Sequence, residues 1–308
     1  MKIALFPGQG SQHVGMGKDL FQNFQVARET FEEASDAIKI DLKKLCFDGP
    51  ESDLTLTENT QPCLVTAAVT AFRVAQKETG FTPKAVAGHS LGEYSALVAA
   101  GSITLATAVR WVRERGIAMQ KAVPAGEGKM AALLGMEDAA VQTLCEQASR
   151  EAKAKRSSES SDLTVEALVE PANFNAPGQI VIAGSADGVD TALALIASGA
   201  YPGGKAIPLA VSAPFHCKLM APARARMAEL FSGASPSEKP KSLLCPYVPN
   251  RTARLSQEPG VVLELLIDQI DHPVLWKQSV ETLLNADFTQ AVEFGPGKVL
   301  QGLCKRIA

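Results

Sequence analysis

The sequence lacks several features that would assign it to whole classes of protein. No two of its six cysteines form a C-x-x-C pair, so neither a zinc knuckle nor a disulfide framework is indicated. We therefore expect free thiols in a reducing compartment, the cytoplasm. No apolar run reaches 18 residues, and the N-terminal apolar run is too short for a signal peptide. The net charge of −3 gives no broad basic surface for nucleic acid or an anionic membrane.

The composition is that of a globular protein with a sizeable core. Of the 308 residues, 46% are hydrophobic and 20% are charged, and this length accommodates one large domain or two smaller ones. Strand-like apolar runs alternate with helical patterns along most of the chain. This alternation predicts an α/β fold with a mostly parallel sheet that is covered on both faces.

The middle of the chain has a different pattern. Residues 128–209 show the order strand, helix, strand, strand, helix, strand, which is typical of a ferredoxin-like module. We predict this module as a small subdomain inserted into a large one made of residues 1–127 and 210–308. Within it, the charged and serine-rich stretch 150–162 lacks apolar periodicity and is expected to be a solvated or disordered loop.

A candidate nucleophile lies between a short strand and an amphipathic run. Residues 88–92 satisfy the pattern G-x-S-x-G, with Ser90 at its centre. The strand predicted at 84–87 and the helix predicted from residue 91 are the context that a nucleophile elbow requires. A serine at this point faces the N-terminus of a helix, where negative charge is favoured. The alternative is an ordinary glycine-rich loop.

A second glycine-rich turn follows the first predicted strand. Gly8 and Gly10 suggest a dinucleotide site, but His13 stands where the third glycine is needed, so the spacing fails. Two interpretations stay open: a tight turn that glycine permits, or a loop whose backbone N–H groups approach an oxyanion.

The general base must be one of four histidines. His89 adjoins the serine, and adjacency in an elbow turns its side chain away from the hydroxyl. His13 lies in the first glycine-rich loop, and His272 follows Asp271 in a turn that ends a helix. His216 enters a helix from a loop that leaves the inserted module, and we favour it over His272. No aspartate stands out as a third member, so a dyad oriented by a backbone carbonyl or an amide is the simpler account.

Arg115 is the other residue with a chemical interpretation. Its charged neighbours, among them Glu114, favour a solvated helix face when the sequence is considered alone. The alternative is a bidentate clamp for a substrate carboxylate.

Eight motifs, in collinear order, resemble those of the malonyl-CoA:acyl carrier protein transacylase family. They span most of the chain and lie at residues 6–12, 88–93, 115–116, 173–179, 212–216, 250–253, 269–276 and 293–297. The resemblance implies a large α/β-hydrolase-like subdomain, a ferredoxin-like insert and a site in the cleft between them.

The resemblance also implies roles for individual residues. Ser90 would be the acyl-accepting nucleophile and His216 its general base and acid. The backbone carbonyl of Gln269 would orient His216, and Arg115 would pair with the malonyl carboxylate. The remaining site residues would be the oxyanion-hole N–H donors Gln9 and Leu91 and the substrate-pocket residues Phe215, His89 and Asn173.

The implied activity is ping-pong transfer of malonyl from malonyl-CoA to the phosphopantetheine thiol of acyl carrier protein, in fatty acid synthesis. The chain would need no metal or cofactor of its own, and it would be a monomer, as members of the family often are. Phe215 is bulky where family members that accept branched extenders tend to carry a smaller residue, so the resemblance implies malonyl over methylmalonyl. The alternatives are a free-standing polyketide acyltransferase, a serine thioesterase or esterase, and a non-catalytic docking module for the carrier protein. The stretch 150–162 is longer than is usual for the family, which leaves the outer surface of the insert undefined.

Overall fold

A computed structural model describes residues 2–158 and 163–308. Within these residues the β-strands are β1 Lys2–Phe6, β2 Ala85–Gly88, β3 Gly128–Leu134, β4 Val169–Ala176, β5 Gln179–Ser185, β6 Lys205–Pro208, β7 Tyr247–Val248 and β8 Gln290–Glu293. The α-helices are α1 Lys18–Asn23, α2 Gln25–Ile38, α3 Leu42–Asp48, α4 Glu51–Leu54, α5 Thr57–Thr79, α6 Gly92–Ala99, α7 Leu105–Lys121, α8 Asp138–Ser158, α9 Ala186–Ala197, α10 Ala221–Ser232, α11 Val262–Asp268, α12 Trp276–Asn285 and α13 Val299–Ile307.

A parallel sheet carries the turn around Ser90. Its strand order is β7-β2-β1-β8, and every neighbouring pair is parallel, which confirms the predicted α/β class. β1 and β2 pair so that Phe6 lies beside Gly88. Because parallel strands end at the same edge, the loops that follow these two residues leave the sheet side by side. This edge is where open α/β sheets bind their ligands.

Both faces of the parallel sheet are covered, as the alternation of β1 shows. Ala4 and Phe6 pack into a core with residues of α5, α6 and α7. Ile3 and Leu5 point to the opposite face and pack with residues of α12 and α13. Successive side chains of a strand alternate between faces, so this one strand contributes to both cores.

A second, antiparallel sheet is formed by the middle of the chain. Its strand order is β4-β5-β3-β6, and α8 and α9 pack against it through a separate core. The chain order β3, α8, β4, β5, α9, β6 is the predicted ferredoxin-like order, which is therefore confirmed. The sequence boundaries at 127/128 and 209/210 stay predictions.

The prediction of a loop over 150–162 is wrong for residues 150–158, which continue α8; residues 159–162 lie outside the described residues. The helix buries Ala152 against the module. Arg156 forms a bidentate ion pair with Asp187 at 2.5 and 2.7 Å. Lys153 pairs with Glu166 at 2.7 Å. Tertiary contacts therefore stabilise a helix that has little apolar periodicity of its own.

Two other segments differ from their sequence patterns. Residues 17–46 have apolar residues at helical spacing, which predicts one helix. They instead form α1, α2 and α3, because Phe24 has an extended backbone and Lys39 a left-handed one. Residues 242–249 have the sequence pattern of a strand, but only Tyr247–Val248 form one. The preceding segment instead hydrogen-bonds a loop, with Leu244 N donating to Ala100 O at 2.8 Å.

None of the helices within residues 2–158 and 163–308 is both long enough and apolar enough to span a bilayer.

Candidate active site

Ser90 lies at the apex of the turn between β2 and α6. Its φ of 50° is in the left-handed region, which non-glycine residues seldom occupy. The N–H of His89 donates to the carbonyl of Phe6 at 3.0 Å, so the turn is tied to the end of β1. A Cβ on Gly92 would lie 2.0 Å from this carbonyl oxygen, so only glycine permits the approach. The strand–turn–helix context predicted for the serine is present.

His216 is the histidine that contacts Ser90. Its Nε2 lies 2.7 Å from Ser90 Oγ, and its Nδ1 lies 2.8 Å from the backbone carbonyl oxygen of Gln269. A carbonyl only accepts, so Nδ1 carries the proton and Nε2 is left to accept the serine proton. His216 is buried and has a φ of 63°. The geometry is that of a nucleophile–base dyad oriented by a backbone carbonyl.

The other three histidines, all within the described residues, are directed elsewhere. Nε2 of His89 lies 2.7 Å from Asn175 Oδ1, on the strand β4. Nδ1 of His272 hydrogen-bonds the Asp268 carbonyl oxygen at 2.9 Å and the Asp271 carboxylate at 2.7 Å. His13 is exposed. The preference for His216 over His272 agrees with these positions.

Arg115 is buried beside the serine, with 1% of its surface exposed. Its Nη2 donates to Ser90 Oγ at 3.2 Å and to Gln269 Oε1 at 2.8 Å. Its Nη1 donates to Gln61 Oε1 at 3.1 Å, so all three hydrogen bonds reach uncharged oxygens. The prediction from sequence alone, that Arg115 lies on a solvated helix face beside Glu114, is wrong. Glu114 pairs with Arg226 at 3.2 Å.

Gln269 contacts more groups than its predicted role requires. Besides accepting from His216 and Arg115, its side-chain Nε2 donates to the Ser90 carbonyl at 3.0 Å and to Glu93 Oε2 at 2.7 Å. The residue is fully buried. One glutamine therefore links the base, the guanidinium and the elbow.

Asn250 was not assigned a role from sequence, yet it braces the elbow. Its Oδ1 accepts from the Ser90 N–H at 2.6 Å, and its Nδ2 donates to the Gly88 carbonyl at 2.6 Å. Its own N–H donates to Glu93 Oε2 at 3.1 Å. The only sequence signal was that Asn250 belongs to one of the eight motifs.

Burial sets the electrostatics of the site. Desolvation, followed by the positive charge of Arg115, lowers the pKa of His216 to about 3, while the hydrogen bond to Gln269 opposes this shift. The imidazole is therefore neutral at pH 7 and able to accept a proton. Burial raises the pKa of Glu93 to about 7, against the hydrogen bonds from Asn250 and Gln269 and the attraction of Arg115. Burial also lowers the pKa of Arg115, whose guanidinium stays charged at neutral pH.

The two residues implied as oxyanion donors lie on adjoining loops. Leu91 precedes the first helical residue of α6, where backbone N–H groups are left free by the helix. The loop that contains Gln9 presses against the elbow, since a Cβ on Gly8 would lie 2.6 Å from the His89 carbonyl oxygen. The Gln9 side chain is held by Thr57 Oγ1 at 3.3 Å.

The implied pocket residues are placed differently from one another. Phe215 is buried beside His216 within the large core. Asn173 is buried in β4, where its backbone pairs with Val181 and bridges to Val274. The amide that reaches His89 belongs to Asn175, two residues further along the same strand.

In the described parts of the chain, no group of three or more His, Cys, Asp or Glu side chains is placed to bind a metal ion.

Comparison with known proteins agrees with the motifs. The acyl transferase domain family matches residues 4–301. The chain is 42% identical over 307 residues to the malonyl CoA-acyl carrier protein transacylase of Bacillus subtilis strain 168, covering 99% of this chain and 90% of the relative. It is 42% identical over 304 residues to the protein of the same name from Escherichia coli K12, covering 98% of this chain and 91% of the relative.

Solved structures give the same result. The acyl-carrier-protein S-malonyltransferase of Burkholderia pseudomallei superposes with a TM-score of 0.89 at 43% identity, covering 100% of this chain and 94% of that one. A malonyl-transacylase in complex with a type II polyketide acyl carrier protein superposes with a TM-score of 0.89 at 39% identity, covering 100% and 93%. The chain belongs to the acyl transferase domain family and, within it, to the malonyl CoA–acyl carrier protein transacylases.

Proposed function

We propose that this protein transfers malonyl from malonyl-CoA to the phosphopantetheine thiol of acyl carrier protein, through an ester on Ser90. The observation that carries the proposal is the buried charge of Arg115, 3.2 Å from Ser90 Oγ and hydrogen-bonded only to neutral oxygens. A buried cation without an anionic hydrogen-bond partner suits a substrate that brings its own carboxylate. A hydrolase of neutral esters has no use for such a group.

The relatives support the same substrates and partner. Those from Bacillus subtilis and Escherichia coli are named for malonyl-CoA and acyl carrier protein, and a similar solved structure contains a carrier protein. We place the reaction in fatty acid synthesis, in the cytoplasm, with a free-standing polyketide acyltransferase as the alternative. The six free cysteines suit that reducing compartment.

In the first half-reaction, Ser90 Oγ attacks the thioester carbonyl carbon while His216 Nε2 takes the hydroxyl proton. The N–H groups of Gln9 and Leu91 stabilise the oxyanion that forms; one such donor typically contributes about 3 kcal/mol. Collapse of this intermediate breaks the C–S bond. His216 gives its proton to the departing sulfur, so that CoA leaves as the thiol and malonyl stays as an ester on Ser90.

The second half-reaction reverses these roles. His216 takes the proton of the phosphopantetheine thiol, and the sulfur attacks the ester carbonyl. The C–O bond to Ser90 breaks, and the proton returns from His216 to Oγ. Nucleophile, base and oxyanion donors all belong to this chain and phosphopantetheine belongs to the partner, so we propose that no further cofactor takes part.

Arg115 also couples substrate binding to the strength of the base. Its charge is the second cause of the low pKa of His216. A malonyl carboxylate bound at the guanidinium would offset that charge and raise the pKa of His216 toward the working pH, where general-base catalysis is most effective. A neutral acyl group would leave the base weaker.

The test is acid-quenched labelling of the enzyme by malonyl-CoA, read by intact-protein mass, followed by addition of holo-acyl carrier protein. We expect a stable malonyl adduct on Ser90 that disappears when the carrier protein is added, with malonyl appearing on the carrier. The Ser90→Ala variant should form no adduct and show no transfer.

Two results would contradict the proposal. An adduct that passes to water as fast as to the carrier protein indicates a thioesterase or esterase. Full transfer by Ser90→Ala shows that the reaction does not pass through an ester on Ser90. Comparing cognate fatty acid and polyketide carrier proteins as acceptors separates the two pathways.

A further inference from the structure

Glu93 lies in the first turn of α6, three positions after Ser90, and its carboxyl group is buried behind the reacting residues with 1% of its surface exposed. Its Oε2 accepts from Gln269 Nε2 at 2.7 Å and from the Asn250 backbone N–H at 3.1 Å. A buried carboxyl is costly unless it is hydrogen-bonded, so two donors that converge on one oxygen indicate a defined role.

The first donor determines which way the amide of Gln269 faces. With Nε2 toward Glu93 and the Ser90 carbonyl, Oε1 faces Arg115 Nη2 at 2.8 Å. Turning the amide by 180° would set its NH₂ against the guanidinium and its oxygen against two acceptors. Only the observed orientation satisfies every group.

The orientation of this amide matters because Arg115 Nη2 divides its contacts between Gln269 Oε1 and Ser90 Oγ. The backbone carbonyl of the same glutamine accepts from His216 Nδ1. We propose that Glu93 is a positioning residue that locks Gln269 and thereby sets the place of the Arg115 guanidinium beside the nucleophile. This inference rests on the proposed function, because that function makes the guanidinium the carboxylate clamp.

The second donor, the Asn250 N–H, connects Glu93 to the turn around Ser90. Asn250, whose N–H binds Glu93, holds the Ser90 N–H and the Gly88 carbonyl through its side chain. Glu93 therefore joins three chain segments that meet only in the folded protein: the elbow, Asn250 and Gln269.

Substitutions at Glu93 separate its acceptor role from its charge. In Glu93→Gln, the amide oxygen takes the place of Oε2 and continues to accept both hydrogen bonds. The NH₂ group takes the place of Oε1, for which no hydrogen bond is found among the described residues. Glu93→Ala removes the acceptor, and Glu93→Asp keeps the carboxyl group but shortens its reach by one methylene.

The measurement is the single-turnover rate of Ser90 acylation by malonyl-CoA and by acetyl-CoA. We expect Glu93→Ala to lose about 100-fold with malonyl-CoA and about tenfold with acetyl-CoA, the range expected for one or two buried hydrogen bonds. Glu93→Gln should stay within about fivefold of the parent for both, because its acceptor is intact. Glu114→Ala, which removes a partly exposed carboxylate on α7, is the control and should change neither rate.

Equal losses with the two substrates in Glu93→Ala would overturn the inference, since a merely structural role lowers both rates together. A Glu93→Gln variant as slow as Glu93→Ala would overturn it too. If Glu93→Ala does not fold, Glu93→Asp takes its place: a malonyl-selective loss supports the lock and an equal loss overturns it. Acylation of Ser90 is measured before the ester is transferred or hydrolysed. An ester that later passes to water would refute the proposed function, but it would leave the comparison of malonyl and acetyl acylation rates unchanged.

Discussion

Arg115 and Ser90 meet through a direct hydrogen bond, from Nη2 to Oγ, at 3.2 Å. The group proposed to select the substrate and the atom proposed to attack it are therefore neighbours. A carboxylate drawn to this guanidinium is placed beside the nucleophile, which is the kind of positioning that converts binding energy into rate.

Replacement of Arg115 by alanine tests whether this residue selects malonyl-CoA over acetyl-CoA. The variant should lose about 100-fold or more in kcat/KM for malonyl-CoA, since a hydrogen bond to a charged group contributes about 1.5–3 kcal/mol and the proposed clamp is bidentate. Acetyl-CoA has no carboxylate and should lose much less. Steady-state transfer assays with both thioesters measure the difference between the two losses in kcat/KM.

The matched control for that experiment is Arg113→Ala. Arg113 lies on the same helix, but its side chain donates to the Glu58 carbonyl and to Asn59, away from Ser90. We expect unchanged selectivity. A similar loss for malonyl and acetyl in Arg115→Ala would show that the arginine is structural.

The charge of Arg115 also predicts a pH effect on His216. Because that charge lowers the pKa of His216, Arg115→Gln should raise it. The base must be neutral to accept a proton, so activity falls as pH drops toward its pKa. The inactivation rate of Ser90 by a sulfonyl fluoride should therefore decrease more steeply between pH 8 and pH 4.5 in Arg115→Gln than in the parent. Parallel pH profiles for the variant and the parent would refute an effect of the Arg115 charge on the pKa of His216.

Glu93 should make stability depend on pH in a direction opposite to that of most carboxylates. Its folded-state pKa of about 7 lies above the ordinary 4.5, so the folded protein binds more protons in this window. Its contribution is fully present below pH 4.5 and is lost as pH rises to about 7. The free energy of unfolding of the parent relative to Glu93→Gln should fall by up to about 3 kcal/mol between pH 4.5 and pH 8.

Urea titrations of the parent and Glu93→Gln at several pH values measure this difference. Glu114→Gln, the same change at a partly exposed carboxylate, is the control for the loss of one carboxyl group. A difference between the parent and Glu93→Gln that is independent of pH would mean that Glu93 keeps an ordinary pKa.

Phe215 is the residue on which the preference for malonyl over methylmalonyl is proposed to depend. Phe215→Ala should reduce the discrimination against methylmalonyl-CoA by about tenfold or more, because one methyl group against a pocket wall is worth about 1–3 kcal/mol. Competition between the two thioesters measures the ratio. Phe231→Ala removes a buried ring that packs on Trp111 and should destabilise the protein without altering the ratio.

The elbow could be predicted from the sequence because the residues that shape its turn are local. A strand, two glycines and a helix start lie within a few residues of Ser90. The burial of Arg115 could not be predicted from the sequence, because it depends on how α7 packs on α5, where Gln61 accepts a hydrogen bond from the guanidinium. A helical pattern shows which side chains share a face, but not which neighbour covers that face.

The roles of Asn250 and Glu93 were missed for a related reason. The hydrogen bond between Ser90 and Asn250 joins residues 160 positions apart, and no spacing rule connects them. The helical part of 150–162 was missed because two ion pairs, Arg156 with Asp187 and Lys153 with Glu166, replace the apolar stripe that usually marks a helix.

The contacts of Ser90 also bear on how the protein folds. Its partners His216 and Gln269 lie 126 and 179 positions away along the chain. Closing such long loops has an entropic cost that local helices do not have, so contacts of this kind form late. On dilution from denaturant, helical structure should therefore return before Ser90 becomes reactive. The reactivity of that one hydroxyl then reports the completion of the native topology.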